Sequence, residues 1–133
     1  DNLTGLFVAI LCGLCYGTRQ IIEANREQGV TFETIVISGG AARSALLRRI
    51  LSDATGLKVA LPATAEPVLL GAAMLGAVSS GHHATLREAA LSMCHQGATI
   101  TPNADAATFH AAKYEAFRIL QQSERRIRAL FSA

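Results

Sequence analysis

Apolar positions along this chain fall into stretches of helical spacing separated by two short runs rich in β-branched residues. From Leu3 to Asn25, the positions Leu6, Ile10, Leu14, Ile21 and Ile22 fit a helix better than an alternating strand. Asp1, Asn2 or Thr4 offers a side-chain cap for its start. The uncharged first half is expected to be buried, with Arg19, Glu23, Arg26 and Glu27 marking an exposed end. Gly29 stops the helix. Phe32 to Ser38 comes next, and its centre, Thr34-Ile35-Val36-Ile37, predicts a short strand buried on both faces. Gly39-Gly40 ends it.

A second helix is predicted from about Ala42 to Ala54, with Leu46, Leu47, Ile50 and Leu51 inward and Gly56 closing it. Lys58 to Leu61 reads as a second strand, ended by Pro62. Glu66-Pro67 opens a third helix, with proline in the first turn where its missing N–H costs nothing. That helix carries Leu69, Leu70, Met74, Leu75 and Val78 among small residues and stops near Gly81; so small a surface predicts a closely packed backbone neighbour. Thr85 to Met93 is a short amphipathic helix with Leu86, Ala89, Ala90 and Met93 inward. Gln96 to Ala106 reads as a turn-rich connection. Ala107 to Phe131 is the last helix, with Phe109, Tyr114, Phe117, Leu120, Ile127 and Leu130 as candidate core residues. The order helix–strand–helix–strand–helix is α/β with parallel strands. Two short strands between helices would leave unpaired edges, so further sheet neighbours are expected outside this chain.

Composition narrows the function classes. At 133 residues the chain is one domain's worth of polypeptide, and being half apolar with 17% charge it is not a disordered segment. A net charge of +2, no Trp and 5% aromatic residues argue against a nucleic-acid surface. Three cysteines and no secretory leader point to a reducing, cytoplasmic setting. The uncharged run from Asn2 to Thr18 raises the question of a membrane helix, which needs ~20 predominantly apolar residues. Thr4, Gly5, Gly13, Gly17 and Thr18 dilute that run, and Gly13-x-x-x-Gly17 reads as close helix packing, so no membrane partner is expected. Cys12-x-x-Cys15 lies within an apolar helix without a second ligand pair, so no metal is assigned to it. Cys94-His95, His82-His83 and the Arg125, Arg126, Arg128 cluster read as helix ends and solvated turns.

The segment that can carry chemistry is Ile35-Val36-Ile37-Ser38-Gly39-Gly40-Ala41-Ala42-Arg43-Ser44. A strand runs into two glycines and straight on to a helix start. Glycines let a phosphate or ribose approach the backbone, and free N–H groups of a first turn favour an anion. Ser44 can reach a ligand or cap the helix. The segment matches neither a Walker A loop nor a dinucleotide fingerprint, and a strand–helix turn without a ligand has the same pattern.

Together with Glu66-x-x-x-Leu70-Gly71-Ala72-Ala73, the ordered set resembles the C-terminal ATPase domain of the FGGY carbohydrate kinases. Leu14 to Glu23 looks like the helix that precedes the adenosine motif in that family, and Ala73 to Ala77, Ile100-Thr101-Pro102 and Lys113 to Phe117 look most like the ribulokinase branch. The resemblance implies an α/β fold that is part of an actin/hexokinase-like (ribonuclease H-like) ATPase domain, with short parallel strands packed by helices. Residues 1–133 would be a partial C-terminal domain ending in helices from about residue 85, without the N-terminal domain. It also implies ATP-dependent phosphorylation, with Mg²⁺, of a sugar or polyol hydroxyl such as D-ribulose by a parent enzyme. Gly39, Gly40 and Ala41 would hold the phosphate and ribose side of the nucleotide. Ser44 would lie beside the adenosine and Arg43 beside the adenine, while the Gly71–Gly76 helix would pack at an interdomain hinge. The family's Asp-x-Gly-Thr phosphate loop and catalytic Asp find no match, so no catalytic residue is assigned and the chain alone is expected to be inactive. Unpaired strand edges or the hinge helix are expected to drive self-association. The alternative is a non-catalytic nucleotide-binding or protein-interaction module that retains the fold.

Overall fold

The computed structural model describes residues 2–131. Helix α1 (Leu3–Glu27) starts at Asn2, whose extended backbone lets its Oδ1 accept the Gly5 amide at 2.9 Å. Of the other two candidates for that cap, Thr4 is inside the helix and Asp1 lies outside the described residues. Then come β1 (Thr34–Val36), a 3-10 turn (Gly40–Arg43), α2 (Ala45–Thr55), β2 (Lys58–Pro62), α3 (Pro67–Ser79) and α4 (Leu86–Met93). The strand β3 (Gln96–Ile100), a second 3-10 turn (Ala104–Ala106) and α5 (Ala107–Leu130) complete the order.

The sheet runs β1-β2-β3. β1 and β2 are parallel, pairing Ile35 with Val59, as the crossover through α2 requires. β3 lies antiparallel on the other side of β2, pairing Val59 with Ile100 and Ala60 with Thr99. The stretch read from sequence as a turn-rich connection is therefore partly a strand. Its residues carry little β pattern, and pairing makes it a strand. Between Ala60 and Pro62 the register shifts, and a Cβ on Gly97 would stand 3.0 Å from the Pro62 carbonyl oxygen. Glycine lets the two backbones approach there.

Leu11, Cys15 and Tyr16 of α1, Ile50, Leu51 and Ala54 of α2, Val59 of β2 and Tyr114 of α5 form the core. Several expectations are corrected by it. α1 is apolar on more than one side, and α2 and α5 cover the side bearing Leu11 and Cys15; Leu6, Ile10, Leu14 and Ile21 remain 55–66% exposed. β1 is not buried on both faces, because Ile35 packs on the core while Val36 faces away and is exposed. On α5 only Tyr114 and, beside it, Phe117 serve the core. Phe109, Leu120, Ile127 and Leu130 are exposed, and His110, not expected there, is buried. Ile50, Leu51 and Leu47 of α2 face inward as expected, but Leu46 is exposed. On α4, Ala89 is buried and Leu86 exposed.

α3 buries only Met74, and a Cβ at Gly71 or Gly76 would meet nothing within 4 Å. The same holds for Gly13 and Gly17 of α1. The close backbone neighbours read from these small residues are absent among the described residues.

Candidate functional site

The end of β1 passes into the glycine pair through Ile37, whose amide donates to the Ala60 carbonyl at 3.0 Å. Gly39 then takes φ 74° and ψ −157°, a region that side chains with a Cβ hardly enter. That reversal starts the 3-10 turn, closed by the Ala42 amide donating to the Gly39 carbonyl at 3.1 Å. The helix expected from about Ala42 therefore forms in two steps. The 3-10 turn ends at Ser44, and Ser44 caps α2, its Oγ accepting the Leu47 amide at 3.2 Å.

Beside this turn, between it and the chain joining β2 to α3, lies an open groove of about 250 Å³. Gly39, Arg43, Arg48, Thr64 and Pro67 are among its walls, and no carboxylate lines it. Of the four residues expected to touch a nucleotide, Gly39 lines the groove. Gly40 and Ala41 are exposed on the adjoining turn, and Ser44 is half-buried under its own helix start. A Cβ on Gly40 would meet nothing, so the space over that backbone is open. Arg43, expected near the base, does line the groove. Arg48 and Thr64 are additions. Arg48 is one helical turn after Ser44, a spacing that puts it on the same side of α2 and was readable from the sequence. Thr64 is engaged locally, its Oγ1 accepting the Glu66 amide at 3.2 Å.

A second groove of about 400 Å³ runs between α1 and α5, walled by Val8, Cys12, Tyr16, Phe109, Phe117 and Leu120. It is apolar apart from Lys113 at its side. Cys15, beneath it, is buried, and its thiol is pushed up to about 12 by burial and then by Cys12, so it holds its proton at neutral pH.

Polar groups also join the helices. Tyr114 of α5 donates to Glu23 Oε2 of α1 at 2.6 Å, and Arg19 Nε donates to Glu23 Oε1 at 2.8 Å. Arg19 lies over the Tyr114 ring, 4.3 Å from its centroid, and its Nη1 reaches the Ala54 carbonyl at 3.2 Å. Arg19 and Glu23, read from sequence as an exposed end, are thus half-buried at the junction of α1, α2 and α5. Burial on its own would raise the Glu23 carboxyl, but the hydrogen bonds from Tyr114 and Arg19 and the Arg19 charge outweigh it and hold the group below its ordinary range. His110 pairs with the Tyr16 hydroxyl at 3.0 Å, and burial, partly opposed by Asp53, lowers its pKa. These groups fasten the fold and stand apart from the glycine turn.

Residues 1–80 match the family model described as the FGGY family of carbohydrate kinases, C-terminal domain. The FGGY carbohydrate kinase domain-containing protein of Danio rerio is 37% identical over 94% of this chain and 23% of its own length. A D-ribulokinase of Saccharomyces cerevisiae is 42% identical over 60% of this chain and 11% of its own length. Among solved structures, xylulose kinase from Rhodospirillum rubrum superposes with a TM-score of 0.78 at 21% identity, over 96% of this chain and 26% of that one. The mixed α/β architecture is therefore that of a sugar kinase of the actin/hexokinase-like fold. The chain spans about a quarter of the length of the first of these relatives. α1 is long and apolar enough to cross a membrane, with a mean hydropathy of 1.5, but it falls inside the matched domain. By the match over residues 1–80, the chain belongs to the FGGY family of carbohydrate kinases, as C-terminal domain sequence.

Proposed function

We propose that this chain supplies part of the ATP site of a cytoplasmic carbohydrate kinase that phosphorylates a sugar or polyol hydroxyl, with D-ribulose or a related pentulose or pentitol as substrate. The observation that carries the reading is the Gly39 reversal beside a groove with two arginines and no carboxylate. A polyanion is favoured there by charge, and the first N–H groups of the following turn have no partner within it. Gly39, Gly40 and Ala41 would lie along the phosphate and ribose side, Arg43 and Ser44 toward the base. The pentulose assignment rests on the likeness to a D-ribulokinase.

ATP supplies the phosphoryl group; the chain's own residues bind and orient it. No three His, Cys, Asp or Glu side chains gather as a metal site among the described residues. The base that takes the hydroxyl proton and the sugar contacts are assigned to no residue of this chain. By itself the chain is expected to bind nucleotide weakly and to transfer nothing.

ADP titrated into the 133-residue chain and its Gly40→Asp variant tests this reading. The space at Gly40 is open, so the variant is expected to fold normally and to lose ADP through carboxylate–phosphate repulsion. Unchanged ADP affinity in Gly40→Asp overturns the placement. A second reading, an interaction module indifferent to nucleotide, is favoured by the exposed apolar residues of α1 and α3, and it expects no ADP binding at all.

A further inference from the structure

Helix α5 extends well beyond the body that holds it. His110, Tyr114 and Phe117, all in its first half, fasten it to the core. Further on, Ile119, Leu120, Ile127 and Leu130 are 55–77% exposed. A helical half of so few turns draws its stability from packing an apolar side, and here that side is bare. Along α5, Phe109, Lys113, Ala116, Leu120, Ser123 and Ile127 recur at alternating steps of four and three, the spacing of a seam between paired helices. The first four of these also wall the groove between α1 and α5, and on its other wall Gly5, Ala9 and Cys12 are small.

The seam matches itself in reverse. With a second copy laid antiparallel, Phe109 meets the partner's Ile127, Lys113 meets the partner's Ser123, and Ala116 meets the partner's Leu120. Each layer sets a larger side chain against a smaller one, which lets the helices close on each other. Charge agrees with this register. Lys113 is the charged residue of the groove, and among the described residues it forms no ion pair. In the reversed alignment the partner's Glu124 lies one position beyond the partner's Ser123, within reach of that lysine. Arg128 accompanies Glu124 on its own helix, as an exposed pair that water weakens.

We propose that α5 is a self-recognition helix. Two copies of the chain pair their α5 helices antiparallel, about a twofold axis level with position 118, midway between Phe109 and Ile127. The stretch from Leu120 to Ile127 of each copy fills the α1–α5 groove of the other. The overlap from Phe109 to Ile127 is about 28 Å of helix at 1.5 Å per residue. The same patch serves both copies, so the contact closes at two and leaves no free half for a third. α5 lies outside residues 1–80 matched by the family model, and the pairing is independent of the nucleotide reading.

Sedimentation velocity over a dilution series tests this on the 133-residue chain carrying Leu6→Gln and Ile10→Gln. Both are exposed positions of α1 that do not wall the groove, and changing them removes association through that side. The expected result is a discrete dimer. Added to this chain, Lys113→Glu, which sets two acidic groups together, and Ile127→Glu, which places a charge against Phe109, are each expected to weaken the dimer tenfold or more. Lys113→Glu combined with Glu124→Lys exchanges the charges and is expected to restore it to within about threefold. Circular dichroism confirms that every variant keeps its helices. A monomer at every concentration overturns the proposal, and so does a dimer that Lys113→Glu and Ile127→Glu leave unchanged, since the copies then meet elsewhere. A folded charge-exchange variant that stays as weak as Lys113→Glu overturns the register, and the proposal with it.

Discussion

Tyr114, two turns into α5, donates its hydroxyl proton to Glu23 on α1 at 2.6 Å, joining two residues 91 positions apart in sequence. The same carboxylate is held by Arg19, which in turn reaches α2 at Ala54. One acidic group therefore ties three helices. Removing only the hydroxyl, in Tyr114→Phe, keeps the ring over which Arg19 stacks and is expected to cost about 1.5 kcal/mol, the range for a hydrogen bond to a charged acceptor. Urea unfolding midpoints of the two chains check this, and equal midpoints would show that water replaces the bond without loss.

The same region gives the fold an acid sensitivity. His110 has its pKa lowered by burial, so the unfolded chain binds its proton more readily. The stability this contributes is complete above the ordinary histidine value of 6.5 and is lost as pH falls from there toward the folded value. Glu23, also lowered, adds a further loss as pH falls below its ordinary 4.5. Stability is therefore expected to decline in two steps on acidification. Denaturation midpoints between pH 8 and 2.5 check it, and His110→Gln is expected to flatten the upper step only.

The two neighbouring glycines are expected to respond differently to a methyl group. Gly39→Ala places a Cβ on a backbone with φ 74°, ψ −157°, at a cost of about 1–3 kcal/mol. Gly40→Ala meets open space on an ordinary backbone and is expected to stay within about 0.5 kcal/mol of the unmodified chain. Paired thermal melts separate them, and equal losses would mean that the turn does not need the reversal at Gly39.

A third glycine matters for a different reason. Gly97→Ala pushes a methyl against the carbonyls of Leu61 and Pro62 and is expected to loosen β3 from β2. Faster amide exchange at Thr99 and Ile100, with α1 and α2 unaffected, is the signature to look for.

Exposed Leu6, Ile10, Leu14 and Ile21 on α1 are expected to draw copies of the isolated chain together. Sedimentation velocity should show an average mass that rises with concentration. The double variant Leu6→Gln, Ile10→Gln should remain closer to monomer; a monomer at every concentration in the unmodified chain would remove this expectation.

Helices were largely legible in the sequence because their stop signals are local. Gly29, Gly56 and Pro67 mark boundaries through backbone chemistry that needs no knowledge of the fold. The inward side of α1 was not legible, since Leu6 and Leu11 are equally apolar and only the placement of α2 and α5 decides between them. β3 was hidden for the same reason: its strand character comes from its partner. At the site, Gly39 was readable from its type and context. The spacing from Ser44 puts Arg48 on that side of α2, but a long cation on a helix gives no sign of which neighbour's carbonyl it will meet.

Ser44 carries one more implication. A hydroxyl has a single proton and two lone pairs, and in Ser44 one lone pair is taken by the Leu47 amide. The proton is still available for donation outward. Toward any visitor to the turn, Ser44 therefore offers that proton and one remaining lone pair. It can give to a ring nitrogen or a ribose oxygen and take from a single N–H. The residue that starts α2 thereby limits what may lie beside it to one bond of each kind, and the limit is set by the helix itself.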